Sequence, residues 1–169
     1  MQRGQQGRML LVEEPAAELG QVTLSGKTAG VGVGGERRQV AVYGPGGYAY
    51  VYRIYGLHSC MNVVASTEER PEAILIRALE PVEGLTLMKE RRGTEDLLKL
   101  CKGPGNLTQA MGIGMEHYGM DLCGEELYIE SVEGPEAGVC TDKRINIDYA
   151  GEAADYPWRF LLRGSRYIS

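Results

Sequence analysis

Between Gly44 and Asn62 the chain reads GPGGYAYVYRIYGLHSCMN, and few backbone paths accommodate that order of residues. Pro45 presets its own φ, and the glycines at 44, 46 and 47 tolerate conformations closed to other residues, so the stretch opens with a turn. A strand is expected next. Alternation puts Tyr48, Tyr50 and Tyr52 on one side of it and Ala49, Val51 and Arg53 on the other. Tyr55 falls just before Gly56, where the strand is expected to end. Three neighbouring phenols form a flat surface suited to stacking on a planar heterocycle. The same stripe is also what a half-buried sheet face looks like, since tyrosine favours strands.

At 169 residues with 43% apolar content the chain is long enough for one domain with a real core. Its apolar runs are shorter than a membrane span and no signal peptide is evident, so a soluble, intracellular (cytoplasmic) protein with no membrane partner is expected. Cys60, Cys101, Cys123 and Cys140 are widely spaced, without a CxxC or Cys/His cluster. They read as thiols in a reducing compartment, with no metal site and no cofactor expected. A formal net charge of −5 argues against nonspecific coating of nucleic acid. The last 27 residues nevertheless carry Lys143, Arg144, Arg159, Arg163 and Arg166 against Asp148, Glu152 and Asp155. That local excess reads either as a solvated face or as a DNA contact patch.

In order along the chain, residues 1–8 are polar and Gln-rich, and Met9–Glu13 reads as a short strand. Cys60–Ala65 is a second strand after the tyrosines, and 66–71 a polar turn. Ala73–Leu79 is a nearly continuous apolar strand interrupted by Arg77, a charge that needs partners if buried. A helix is expected from Pro81 or Val82, with Glu83 early and Lys89, Arg91 and Arg92 late, ended by Gly93. Thr94–Cys101 reads as a second helix capped by Thr94, and Asn106–Met111 as a third after the Gly103-Pro104-Gly105 turn. Leu127–Val132, Arg144–Ile147 and Pro157–Arg163 read as strands, the last with Trp158, Phe160 and Leu162 facing the core.

Several of these segments together carry a resemblance. Pro-Gly-Gly, Tyr-x-Tyr-x-x-Tyr-Gly and Cys-Met-Asn resemble the central hairpin of the alkyladenine (3-methyladenine, methylpurine) DNA glycosylases. AILIRALEPVEG from Ala73, GPGNLTQAMGI from Gly103, Arg144–Ile147 and AGEAADYPWRFLLRGSRYIS to the end keep that family's order and spacing. The likeness covers Tyr43–Ser169 and divides the chain into a divergent segment, 1–42, and a glycosylase-like domain, 43–169. Upstream, the family has a valine followed by Glu-Thr-Glu-Ala-Tyr, where this chain has Val12-Glu13-Glu14-Pro15-Ala16-Ala17. An ungapped comparison puts Pro15 at the catalytic glutamate, and dropping the threonine puts Glu14 there. The family's pocket tyrosine and histidine are not matched between Glu18 and Val42. Either the first half of the site is lost or the stretch from about Pro15 to Val42 is read from a shifted frame.

The resemblance implies an α+β fold: a single domain with a curved antiparallel sheet and a few short helices, similar to the C-terminal domain of methionyl-tRNA formyltransferase but lacking its first strands. It implies base-excision repair, with hydrolysis of the N-glycosidic bond of alkylated or deaminated purines (3-methyladenine, 7-methylguanine, hypoxanthine, ethenoadenine) flipped out of double-stranded DNA by a monomeric enzyme. Tyr55 would enter the gap left by the extruded nucleotide, Tyr52 would wall the pocket and Asn62 would crowd the exocyclic amine of guanine. Glu14, with Glu13 or Glu18 behind it, would be the general base, with Arg77 and the carbonyl of Ile145 holding the attacking water. Gly103, Gly105 and Arg163 would follow the DNA backbone, with Asn106 standing where the family has a lysine. A relative that binds DNA without cutting it is the alternative.

Overall fold

A computed structural model of the chain describes residues 9–11, 44–65, 72–131 and 138–169. Its elements are strands β1 (Met9–Leu11), β2 (Ala49–Ile54), β3 (His58–Val64), β4 (Ala73–Leu75), β5 (Ile129–Ser131), β6 (Val139–Asp142) and β7 (Arg159–Leu162). The helices are α1 (Leu85–Arg92), α2 (Leu97–Leu100) and α3 (Pro104–Met111), with 3-10 turns at Met115–His117 and Asp148–Ala154. It is a small α+β domain. None of the helices among the described residues is long and apolar enough to cross a membrane.

The centre is the antiparallel β2-β3-β4 sheet, in register with Tyr50 opposite Asn62, Tyr52 opposite Cys60 and Asn62 opposite Leu75. Residues 119–123 extend it past β2. Ala49 N donates to Met120 O at 2.8 Å, Leu122 N to Gly47 O at 2.9 Å, and Ile129 N to Leu122 O at 2.9 Å. Residues 119–123 therefore bridge β2 to β5, and β1 pairs with β5 in parallel. Following the pairings, β1, β5, β2 and β4 all run the same way. Their carboxyl ends lie along one edge, beside the β2–β3 turn.

The two sides of this sheet differ because successive side chains alternate. Ala49, Val51, Met61 and Ile76 point to one side, where Met88 of α1, Leu100 of α2 and Leu107 and Ala110 of α3 close the main core. Fully burying each of the valine, methionine, isoleucine and leucine side chains contributes about 1.5–3 kcal/mol. The other side carries a smaller cluster of Tyr50, Val64 and Ala73, with Tyr52 and Tyr118 against it. Arginines stitch the helices together. Arg91 Nη1 donates to Ala110 O at 3.1 Å, Arg92 Nε to Leu100 O at 3.1 Å, and Arg92 Nη1 to Gln109 Oε1 at 2.6 Å.

Several boundaries differ from the sequence reading. The first helix begins at Leu85, because Gly84 takes a left-handed conformation (φ 68°) and Pro81, Val82 and Glu83 stay outside it. The second is one turn long and capped by Asp96, whose side chain accepts from Leu98 N at 3.0 Å, while Thr94 Oγ1 accepts from Asp96 N. The third starts two residues early, at Pro104, where a missing N–H costs nothing. Arg144–Ile147 is a bend and not a strand, with Asn146 at φ 58°. In β7 the expected core residues Phe160 and Leu162 are exposed. Arg159 and Leu161 are the more buried pair, the opposite phase of the same alternation.

Candidate functional site

Tyr55 stands at the tip of the β2–β3 hairpin, between Ile54 and its partner His58. It is 87% exposed and adopts φ 53°, a left-handed conformation that bulky residues rarely take. Gly56 continues it at φ 72°, and Leu57 beside it is also exposed. Water thus meets an aromatic ring at the end of an antiparallel ribbon, in backbone that costs about 1–2 kcal/mol.

Below the tip lies the tyrosine side of the sheet. Tyr52 stacks on Tyr50 with centroids 5.3 Å apart and planes 23° apart, and Tyr118 meets Tyr50 edge-on at 6.1 Å. Tyr50 is buried packing and Tyr52, toward the tip, is half-buried, as in the sheet-face reading of the stripe. Across from them on β3 sit Cys60 and Asn62, the latter a buried polar side chain. Burial pushes the Cys60 thiol above its ordinary pKa, against the opposing effects of a Tyr52 hydrogen bond and the Arg77 charge.

Arg77 follows β4 on this same side, two residues past Leu75, and its Nε is buried without a hydrogen-bond partner. Burial first, and then the guanidinium of Arg159, pull its pKa below the usual arginine value; Cys60 and Tyr52 act the other way, and Arg144 adds to the lowering. Arg77, Tyr52 and Cys60 are therefore electrostatic neighbours, with Asn62 opposite the same strands. Ile145 is half-buried in the bend directly after Arg144.

A brace holds the hairpin from the helix side. Thr108 on α3, 1% exposed, donates from Oγ1 to Ser59 O at 2.7 Å. Gly105 packs on His58 so closely that a Cβ there would lie 3.2 Å from the His58 Cβ. Gly103 (φ 96°) opens the helix, and Asn106 Nδ2 donates back to Lys102 O at 2.7 Å. Gly105, one of the glycines expected to follow DNA, thus lies against the tip end of the tyrosine hairpin. Arg163 does not join them; it is exposed at the end of β7 beside Gly138.

Glu14, like Glu13 and Glu18, lies outside the described residues. Cys60, Thr108 and His58 are not singled out as site residues by the sequence, and Arg144 and Arg159 enter there only as part of the C-terminal basic excess. Strand register, with Cys60 opposite Tyr52, is what brings the thiol in, and that follows from the hairpin turn alone. A surface hollow of about 400 Å³, lined by Lys89, Gly93 and Glu95, lies at the end of α1 on the helix side. Among the described residues no three His, Cys, Asp or Glu side chains gather as metal ligands.

Residues 26–166 match the methylpurine-DNA glycosylase family, a span that begins ahead of Tyr43. A candidate 3-methyladenine DNA glycosylase of Methanoculleus marisnigri is 50% identical over 140 residues, covering 80% of this chain and 71% of that protein. One from Clostridium novyi is 38% identical over 179 residues, covering 96% of this chain and 89% of the relative. One from Bacillus subtilis is 46% identical over 133 residues, covering 79% and 67%.

Proposed function

The chain belongs to the methylpurine-DNA glycosylase family, DNA repair hydrolases acting on N-glycosyl bonds, and we propose that it excises alkylated or deaminated purines from double-stranded DNA by base flipping. The observation that carries this reading is the union of an exposed aromatic tip, Tyr55, with Tyr52, Asn62 and Arg77 on one side of the sheet below it. A purine inside a duplex is out of reach, and rotating its nucleotide out costs a few kcal/mol. The Tyr55 ring filling the gap recovers about 1–3 kcal/mol by stacking. The extruded base rests against Tyr52, and Asn62 rejects guanine by steric conflict with its exocyclic amine.

Glu14 is the general base of this proposal. Two residues separate it from Leu11, and β1 points its carboxyl end toward the same edge as β2 and β4, where Tyr52 and Arg77 lie. The carboxylate takes a proton from water, the water oxygen bonds to the sugar C1′, and the purine leaves with the electron pair of the broken C–N bond. Arg77 and the carbonyl of Ile145 orient that water. Alkylation or protonation of the base makes it the better leaving group. The division at residues 42 and 43 into a divergent segment and a glycosylase-like domain belongs to the same proposal, as does monomeric action.

A duplex containing hypoxanthine or ethenoadenine, incubated with the chain and treated with alkali, is expected to break at the lesion. Duplex that is retarded on a native gel but never broken would replace this reading with that of a DNA-binding relative, which the Glu13-Glu14-Pro15 departure from the family motif favours.

A further inference from the structure

The β2–β3 hairpin outruns its neighbouring strands before it reaches its tip. On the β2 edge, residues 119–123 extend as far as Ala49, whose O accepts from Gly119 N at 2.8 Å. On the β3 edge, β4 pairs with Asn62, Val63 and Val64, and Ile76 N still donates to Met61 O at 3.1 Å. Beyond that point the chain turns away, and Ala78 bridges to Lys102 instead. Among the described residues no strand pairs with either outer edge of 52–60. A two-stranded ribbon is marginal by itself and twists strongly, so the sheet leaves the direction of its tip unset.

What meets the vacated edge is α3. Alternate carbonyls along a strand face the same edge, so Ser59 O points where Met61 O does, toward the line that β4 has left. Thr108 Oγ1 donates to it at 2.7 Å, in the place of a strand amide, from a residue 1% exposed. The hydroxyl has one proton, and Ser59 O is the nearer of its two acceptors, Gly105 O lying at 3.0 Å. Gly105 makes that approach possible. A Cβ on it would lie 3.2 Å from the Cβ and 3.3 Å from the Cγ of His58. Unlike Gly103, Gly105 has no positive φ to account for it, so close packing on His58 is what a glycine serves there.

We propose that Gly105 and Thr108 are positioning residues for base flipping: α3 stands in for a strand against β3 and so aims the hairpin that carries Tyr55. This rests on the base-flipping reading above and deepens it. The family likeness gives Gly105 a place along the DNA backbone, whereas here its missing side chain acts on the protein's own hairpin. Neither residue touches the reacting atoms. Both act through the Tyr55 ring, which recovers stacking only when it is held in line with the gap.

Single-turnover excision from a hypoxanthine duplex, with the full chain in saturating excess, tests this. Thr108→Val is expected to slow excision about fivefold, the effect of one lost hydrogen bond, and Thr108→Ser, which keeps the hydroxyl, to restore the rate. In a Tyr55→Ala background Thr108→Val is expected to slow excision no further, because the brace acts through that ring. Gly105→Ala, which displaces His58, should behave in the same way and decides the matter where the valine variant does not fold. Equal slowing with and without Tyr55, or no slowing by either variant, overturns the proposal. NMR relaxation of the chain without DNA gives a second readout. Amide order parameters at Ile54 and His58 are expected to fall in Thr108→Val from about 0.85 toward about 0.6, while that of Met88 in α1 stays as it was. Unchanged values at Ile54 and His58 make Thr108 merely structural and overturn the proposal. If the unaltered chain excises nothing, the glycosylase reading fails, and the relaxation comparison still decides whether α3 aims the hairpin.

Discussion

The two sides of the β2-β3-β4 sheet are built from the same three strands by alternation, yet they resemble different kinds of surface. The helix side is apolar and closed, with Val51, Met61, Leu100 and Leu107 almost fully removed from water. The tyrosine side keeps phenols, a thiol, an amide and, at its edge, a guanidinium whose Nε is buried without a hydrogen-bond partner. Alternation makes the division of labour inexpensive. One residue along a strand can serve stability while the next is left for chemistry, so substitutions on the two sides are expected to separate cleanly.

The sharpest break of that comparison is Glu14→Gln. Loss of a general base is expected to lower excision about 10²- to 10⁴-fold while duplex binding and the melting midpoint stay as they were. Single-turnover excision beside a binding isotherm reads both. On the helix side, Met61→Ala is expected to cost about 2–5 kcal/mol in urea unfolding, because the cavity forms among α1, α3 and the sheet. Tyr55→Ala should do the reverse. Excision falls about 5- to 150-fold, matching the lost stacking of about 1–3 kcal/mol, with unfolding free energy changed by less than about 0.5 kcal/mol.

Thr108→Val sharpens the comparison where the two sides communicate. It removes the donor to Ser59 O, so stability should drop by about 1 kcal/mol, and excision should fall further than that loss explains because the Tyr55 hairpin loosens. A smaller effect comes from Cys101 on the helix side, whose thiol burial pushes up to about 11 from an ordinary 9.0. Between those values the unfolded chain releases a proton that the folded chain retains. Stability is whole below about pH 9 and declines with a slope of about 1.4 kcal/mol per pH unit as pH rises toward 11. Cys101→Ala should flatten that alkaline limb in urea titrations.

Much of the sheet was legible in the residues themselves. The Gly-Pro-Gly-Gly turn, the phase of Tyr48–Arg53 and the stop at Gly56 follow from local backbone chemistry, and the strand took the predicted phase. Helix starts were less legible, because Pro81 is permitted at a first turn but Gly84, three residues on, delays the helix. The ribbon β6–β7 was misread. Arg159 and Leu161 alternate with Phe160 and Leu162, so periodicity alone allows either phase. The pairing of Arg159 with Asp142 lies 17 residues apart in sequence, where no local signal reaches. The same distance hid Thr108 from Ser59, 49 residues apart. The roles proposed for Tyr52, Tyr55, Asn62 and Arg77 rest on the family likeness and not on periodicity.

Hydrogen–deuterium exchange of the chain with and without a duplex carrying an abasic analogue tests the central contrast most directly. Binding is expected to slow exchange in the hairpin 50–62, in 76–78 and at the start of α3, and to leave α1 and α2 as they were. Protection confined to α1 and α2, with the hairpin unchanged, would contradict it.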